Sequence, residues 1–220
     1  MRPNKKDKNI VLGVCGGISA YKSCELVRLL VKNGYSVRVV MTEAAEKFVS
    51  PLVFQTLSKN PVSTGMFNLS CVINPWPSLE AHDFTGKDIP RVLESKKSKI
   101  LKRKFLLKEE VKHVSLAQWA STCVIAPLSA NTLSKIALGL CDNLLTTVVA
   151  ALSSDVNVVC VPAMNENMWK NPLLQKNVKK IKSIKKYLIV SPRTGELACG
   201  DYGEGRMAEP KEILKVILEG

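Results

Sequence analysis

Aromatic residues make up only 5% of this 220-residue sequence, and histidine occurs twice, as His82 and His113. So few rings cannot tile a stacking platform for single-stranded nucleic acid, and the two imidazoles are the whole supply of side chains that titrate near neutrality. No C-x-x-C pair exists: Cys15, Cys24, Cys71, Cys123, Cys141, Cys160 and Cys199 are odd in number and scattered. That spacing carries no disulfide framework and no paired metal ligands, and it fits a reducing, cytoplasmic compartment. No apolar run approaches the roughly 18 residues of a membrane span. The basic start before Ile10 imitates a secretory leader, but its apolar run is broken by glycine and feeds into a helical pattern, so it reads as the first strand of a fold.

What is present is ordinary core material, 46% hydrophobic against 23% charged, enough for a packed globular unit. The net charge of +13 is concentrated: residues 91–112 and 176–186 together carry +12. The second stretch has Val178, Ile181 and Ile184 at helical spacing, so its lysines form the wet face of an amphipathic helix. Neither stretch has the motif of a nucleic-acid module, so no nucleic-acid or membrane partner is expected.

Residues 9–15 form a short β-branched run closed by Gly16-Gly17. Ala20, Cys24, Val27, Leu30 and Val31 then recur at helical spacing up to an Asn33-Gly34 stop, and residues 35–41 are a second apolar run. This predicts one βαβ unit with a parallel pair. Ser50-Pro51 predicts an N-cap with proline at N1 and a helix to about Leu57. Residues 122–126, 156–161 and 187–190 predict three more buried strands, and 130–138, 144–152 and 172–184 predict helices between them. The alternation predicts an α/β three-layer sandwich, Rossmann-like or flavodoxin-like, with a parallel sheet covered on both faces. Residues 1–220 read as one domain, with an insertion at about 70–112 that is too long for an ordinary connection. In such sheets ligands lie outside the carboxyl ends of the strands, so the strand ends are where chemistry is expected.

After the first strand, Gly13, Gly16 and Gly17 are placed to let backbone N–H groups approach a phosphate at a helix start. The spacing is neither G-x-G-x-x-G nor a nucleoside-triphosphate loop, and Met41-Thr42 stands where a dinucleotide site grips its ribose with an acid. A mononucleotide therefore fits better than NAD. The next strand runs into Pro127-Leu128-Ser129-Ala130-Asn131-Thr132, where Ser129 serves either as a helix cap or in a ligand-binding turn. Asp142-Asn143 precedes another helix as a candidate cap. Residues 156–161 lead into Pro162-Ala163-Met164-Asn165-Glu166-Asn167-Met168-Trp169. There an Asn amide beside Met and Trp must find partners, which favours a site. His113 opens an amphipathic turn near the sheet edge and suits a base. Cys199, bracketed by Ala198 and Gly200, is the candidate reactive thiol among the seven.

Six ordered segments together resemble the homo-oligomeric flavin-containing cysteine decarboxylases. They are Gly16-Gly17-Ile18-Ser19-Ala20-Tyr21-Lys22, His113-Val114-x-Leu116-Ala117-x-Trp119-Ala120, Ala126-Pro127-Leu128-Ser129-Ala130-Asn131-Thr132, Asp142-Asn143-Leu144-Leu145-Thr146, Pro162-Ala163-Met164-Asn165-x-x-Met168-Trp169 and Leu197-Ala198-Cys199-Gly200-Asp201-x-Gly203-x-Gly205-Arg206-Met207. The resemblance implies FMN held by Gly16, Gly17, Ile18, Thr42, Ser129, Ala130, Asn131 and Thr132, with Ala163 near the ring. It also implies a substrate carboxylate on Asn165, a clamp shaped by Met168, and a covering loop of Glu196, Leu197 and Ala198. His113 becomes the catalytic base and Cys199 the proton donor. The implied reaction is decarboxylation of phosphopantothenoylcysteine in coenzyme A synthesis, by a homo-oligomer built from trimers and without a metal. Within the same family the alternatives are a peptidyl-cysteine decarboxylase and a regulatory flavoprotein. Ser115, where relatives often carry an acid, and the insertion before His113 depart from the family pattern.

Overall fold

A computed structural model describes residues 8–66, 111–196, 200 and 202–219, with Glu196 described by its backbone alone. The chain divides into two units, Met1–Met66 with His113–Gly220, and Phe67–Lys112. The expected insertion at about 70–112 lies outside the described residues apart from Val111 and Lys112. The first unit carries the α/β fold.

Its elements in chain order are β1 (Asn9–Val14), α1 (Ala20–Lys32), β2 (Ser36–Met41), α2 (Glu43–Glu46), α3 (Pro51–Ser58), α4 (Lys112–Trp119), β3 (Thr122–Leu128), α5 (Ala130–Leu138) and α6 (Leu144–Ala151). There follow β4 (Asn157–Pro162), α7 (Glu166–Lys170), α8 (Pro172–Lys182), β5 (Tyr187–Ile189), β6 (Arg193–Glu196), β7 (Tyr202–Arg206) and α9 (Pro210–Glu219). Strands β1 to β5 form one parallel sheet in the order β2-β1-β3-β4-β5, and β6 and β7 pair as a separate antiparallel hairpin. This order is the flavodoxin-like member of the two expected fold types.

The apolar runs are continuous because successive side chains on each strand enter different cores. On one face Ile10, Leu12 and Val14 of β1, Val124 and Ala126 of β3, and Val159 and Val161 of β4 pack under Leu26, Leu30, Phe54 and Ile213 of α1, α3 and α9. On the other, Val11, Cys123, Ile125, Val158 and Cys160 meet Leu116, Leu133, Leu145, Val148, Val178 and Ile181 of α4, α5, α6 and α8. Gly13 belongs to this second face. A Cβ there would overlap the Leu145 side chain, so Gly13 serves helix packing rather than a phosphate turn.

Helix starts follow the capping chemistry. Ser50 Oγ accepts from Leu52 N–H, with Pro51 at N1, and Ser129 Oγ accepts from Thr132 N–H. At α6 the cap is Asn143, whose Oδ1 accepts from Thr146 N–H at 3.1 Å, while Asp142 instead pairs with Lys135 at 2.6 Å. Helix α8 ends at Lys182, short of the expected Ile184, and β3 continues through Pro127 to Leu128. The sequence reading contained no α2, α7, α9 or β6–β7 hairpin. The hairpin strands, RTGE and YGEGR, are glycine-rich and charged, which is poor strand composition. Among the described residues no helix is long and apolar enough to cross a membrane.

Leu12 is fully buried at the centre of one core, whereas Leu218 on the last helix is 60% exposed. Leu12→Ala is expected to lower unfolding free energy by about 2 to 5 kcal/mol, and Leu218→Ala by less than about 0.5 kcal/mol. Urea denaturation of the two variants checks this; equal midpoint shifts would contradict the layer assignment.

Candidate functional site

The strand order reverses between β1 and β3, because β2 lies on one side of β1 and β3 on the other. At the carboxyl edge of that pair the loops after β1, β3 and β4 separate and leave a cavity of about 630 Å³. This lies within the usual size range of small-molecule sites. One wall is Gly16, Gly17 and Ile18 running into α1, and another is Ser129 and Ala130 at the start of α5. Ala163, Met164, Asn165 and Met168 form a third, and Gly205 and Arg206 of β7 close the side.

Local packing explains the glycines. A Cβ on Gly16 would overlap Ala44, so this glycine lets the β1 loop pass close to α2. A Cβ on Gly17 would meet no atom within 4 Å, although Gly17 lines the cavity. The missing side chain at Gly17 thus leaves open cavity rather than packing space. The starts of α1 and α5 both line this volume, and the positive ends of the two helix dipoles favour an anion there.

Two cations reach the same cavity. Lys22 is 6% exposed, and its ammonium donates to Glu209 Oε1 at 2.8 Å. Arg206 reaches the same carboxylate oxygen at 3.5 Å. Lys22 holds the Glu209 carboxyl below the usual glutamate range despite partial desolvation. Glu212 accepts from Glu209 N–H and pairs with Arg193, so α9, β6, β7 and α1 share one ionic group.

Of the residues singled out from sequence, Gly16, Gly17, Ile18, Ser129, Ala130, Ala163, Asn165 and Met168 come together around the cavity. Thr42 follows β2, donates its N–H to the Val14 carbonyl and caps α2, Thr132 is buried beneath the α5 turn, and Asn131 is exposed; these three do not line it. Asn165 is half-buried, and its Oδ1 accepts from Asn167 N–H at 2.8 Å, capping α7. Met168 and Trp169, adjacent in sequence, part company: Met168 is 48% exposed at the cavity, and Trp169 is in the core. His113 is half-buried on α4, about 9 Å along the helix from Trp119, and does not line the cavity. Leu197, Ala198 and Cys199, like the Glu196 side chain, lie outside the described residues.

The other cysteines of the sheet are inert by environment. Burial pushes the Cys15 thiol up despite hydrogen bonds from Thr132 and Ser129, pushes Cys123 up to about 12, and raises Cys160 as well. Sequence reasoning missed Ser19, Tyr21, Lys22, Met164, Gly205 and Arg206 as cavity residues. Several stood inside the motif segments, but Lys22 and Arg206 look like ordinary surface charges until Glu209 is placed beside them. Among the described residues no group of three or more His, Cys, Asp or Glu is arranged to hold a metal ion.

The Flavoprotein family model matches residues 1–220. The chain belongs to the flavoprotein family. It is 36% identical over 212 residues to the "Probable phosphopantothenoylcysteine decarboxylase" of Streptococcus mutans, covering 96% of this chain and 98% of that relative. To the coenzyme A biosynthesis bifunctional protein CoaBC of Borreliella burgdorferi it is 35% identical over 213 residues. That match covers 97% of this chain but only 44% of the relative, so this flavoprotein spans less than half of the bifunctional protein's length. Among solved structures it is similar to a PPC decarboxylase cysteine-to-serine mutant complexed with pantothenoylaminoethenethiol. The TM-score is 0.72 and the identity 28%, over 97% of this chain and 100% of that one.

Two outcomes follow for this flavoprotein. Gly17→Val is expected to lose bound flavin while melting, flavin-free, at the temperature of the flavin-free parent, whereas Gly16→Val collides with Ala44 and loses about 1 to 3 kcal/mol of stability. Absorbance at flavin wavelengths and thermal melts separate the two. Because the Glu209 carboxyl is depressed in the fold, its stabilisation is complete above the ordinary value of 4.5 and is lost as pH falls through the lower folded value. Glu209→Gln should therefore be less stable than the parent at neutral pH, with the gap narrowing below about pH 4.5; a gap independent of pH would remove the ion pair as its cause.

Proposed function

We propose that this chain is an FMN-dependent phosphopantothenoylcysteine decarboxylase of coenzyme A synthesis. The observation that carries the reading is the cavity at the β1/β3 reversal, where Gly16, Gly17, Ser129, Ala130, Asn165 and Met168 converge. In sheets of this order that reversal is where FMN binds.

The residues present fit a flavin mononucleotide. Gly17 leaves open volume, the α1 and α5 starts set the positive ends of their dipoles there, and Lys22 and Arg206 add positive charge for one phosphate. Gly16, Gly17, Ile18, Ser129 and Ala130 would hold it directly, with Thr42, Asn131 and Thr132 shaping the turns behind them, and Ala163 leaves room for the ring. FMN, when bound, supplies the two-electron oxidation that turns the substrate's cysteine side chain into an electron sink for loss of carbon dioxide, and the return of that electron pair.

The chain supplies binding and protons. With its Oδ1 engaged by Asn167 N–H, Asn165 presents the donor end of its amide to the substrate carboxylate. Met168 covers the carboxylate's surroundings with apolar surface, which favours loss of charge as carbon dioxide leaves. His113 takes the substrate proton, and Cys199 returns a proton to carbon from the loop of Glu196, Leu197 and Ala198. Since His113 does not line the cavity of its own chain, this assignment requires a second copy of the chain to bring it there, and the assembly proposed is a trimer or a multiple of trimers. Ile18 and Tyr21, each 60% exposed at the cavity rim, offer apolar area for the contact.

Purified protein is expected to be yellow, to release FMN on denaturation, and to convert phosphopantothenoylcysteine to phosphopantetheine. A colourless protein that cannot be reconstituted with FMN sinks the reading, and wild type that releases only the enethiol favours a peptide-modifying decarboxylase. His113→Asn should keep FMN and lose about 10² to 10⁴ in carbon dioxide release. Asn165→Asp should raise KM by setting a like charge against the substrate carboxylate.

A further inference from the structure

Asn165 sits between two ties to the β6–β7 hairpin. On one side Met164 N–H donates to the Gly205 carbonyl at 3.0 Å. There Gly205 has φ +151°, and a Cβ would overlap the Met164 carbonyl, so only glycine allows the approach. On the other side Glu166 Oε1 accepts from the backbone N–H of Glu204 at 3.3 Å and from the Lys170 ammonium at 2.7 Å. The Glu166 carboxylate also fills the space that a Cβ on Gly203 would need. The first tie is backbone to backbone, and the second depends on one side chain.

We propose that Glu166 is a positioning residue: its carboxylate latches β7 onto α7 and thereby sets the separation of Arg206 and Asn165 across the cavity. Glu166 itself does not line the cavity, so it acts through these neighbours. Lys170 and the Glu204 amide hold its carboxyl below the usual glutamate range, which keeps it an acceptor at neutral pH. Gly203 follows from the same contact, because the latch leaves room for hydrogen and nothing larger. The inference rests on the decarboxylase reading only for what the cavity binds; the latch itself is a property of the fold.

The test uses the full chain with its flavin and compares Glu166→Ala, Glu166→Gln, Gly203→Ala and the double variant Glu166→Ala with Gly203→Ala. Glu166→Ala and Gly203→Ala should each raise KM for phosphopantothenoylcysteine about tenfold, the equivalent of one lost charge-assisted hydrogen bond, with kcat falling less than KM rises and the flavin spectrum unchanged. Glu166→Gln, whose amide oxygen still accepts from Glu204, should stay within about threefold of the parent. The double variant should be no worse than Glu166→Ala alone, since the new methyl occupies the vacated space.

KM changes that multiply in the double variant, an unchanged KM in Glu166→Ala, or a Glu166→Gln as impaired as Glu166→Ala would each overturn the latch. Amide hydrogen exchange over residues 202–206 gives a readout free of turnover. It should quicken about tenfold in Glu166→Ala, and an unchanged rate also overturns the proposal. If the parent protein itself turns over no substrate, the decarboxylase reading has failed, while the exchange comparison still decides the latch.

Discussion

A parallel sheet covered on both faces leaves one place for a ligand, the carboxyl edge where strands end and helices have yet to begin. Here that edge opens between β1 and β3 because the chain winds one way from β1 to β2 and the other way from β3 onward. Three of the cavity's walls inherit their position from this constraint. The glycine turn after β1, the α5 cap after β3 and the Asn165 segment after β4 are far apart in sequence. They are neighbours because three adjacent strands deliver them to the same edge.

Close approach decides much of the remaining geometry. Gly13 lets Leu145 reach the sheet, Gly16 lets α2 pass the first loop, and Gly203 and Gly205 let the hairpin lie against α7 and Met164. Gly17 differs in kind, since its Cα faces open volume rather than protein. Gly13, Gly16, Gly203 and Gly205 thus admit protein atoms, while Gly17 borders the cavity. The buried Lys22 adds an electrostatic counterpart. Glu209 ties the start of the last helix to the first, where Lys22 lines the cavity.

Much of the fold was legible because its signals are local. β-branched runs buried on both faces, the Ser50, Ser129 and Asn33-Gly34 signals, and helical spacing in α1, α5 and α8 each report on a few neighbouring residues. The hairpin was illegible for the opposite reason. RTGE and YGEGR pair with each other and dock through glycines, and nothing in their composition favours strand. The assignment of Asp142 as a cap failed because its carboxylate found Lys135 seven residues earlier, on the preceding helix, leaving Asn143 to cap α6. At the site, the motif segments identified the cavity walls but not the roles of neighbours within them, as the divergent fates of Met168 and Trp169 show.

By itself the sequence determined the parallel α/β plan and the family, because strand burial, capping and ordered motif segments are written in consecutive residues. Only the tertiary structure decided that Lys22 is buried against Glu209, that Gly13 serves packing and Gly17 the cavity, and that His113 stands outside the cavity of its own chain. Those outcomes depend on which residues meet across more than a hundred positions of chain. Contact at that distance is set by the order of strands in the sheet, not by any property of the residues taken locally.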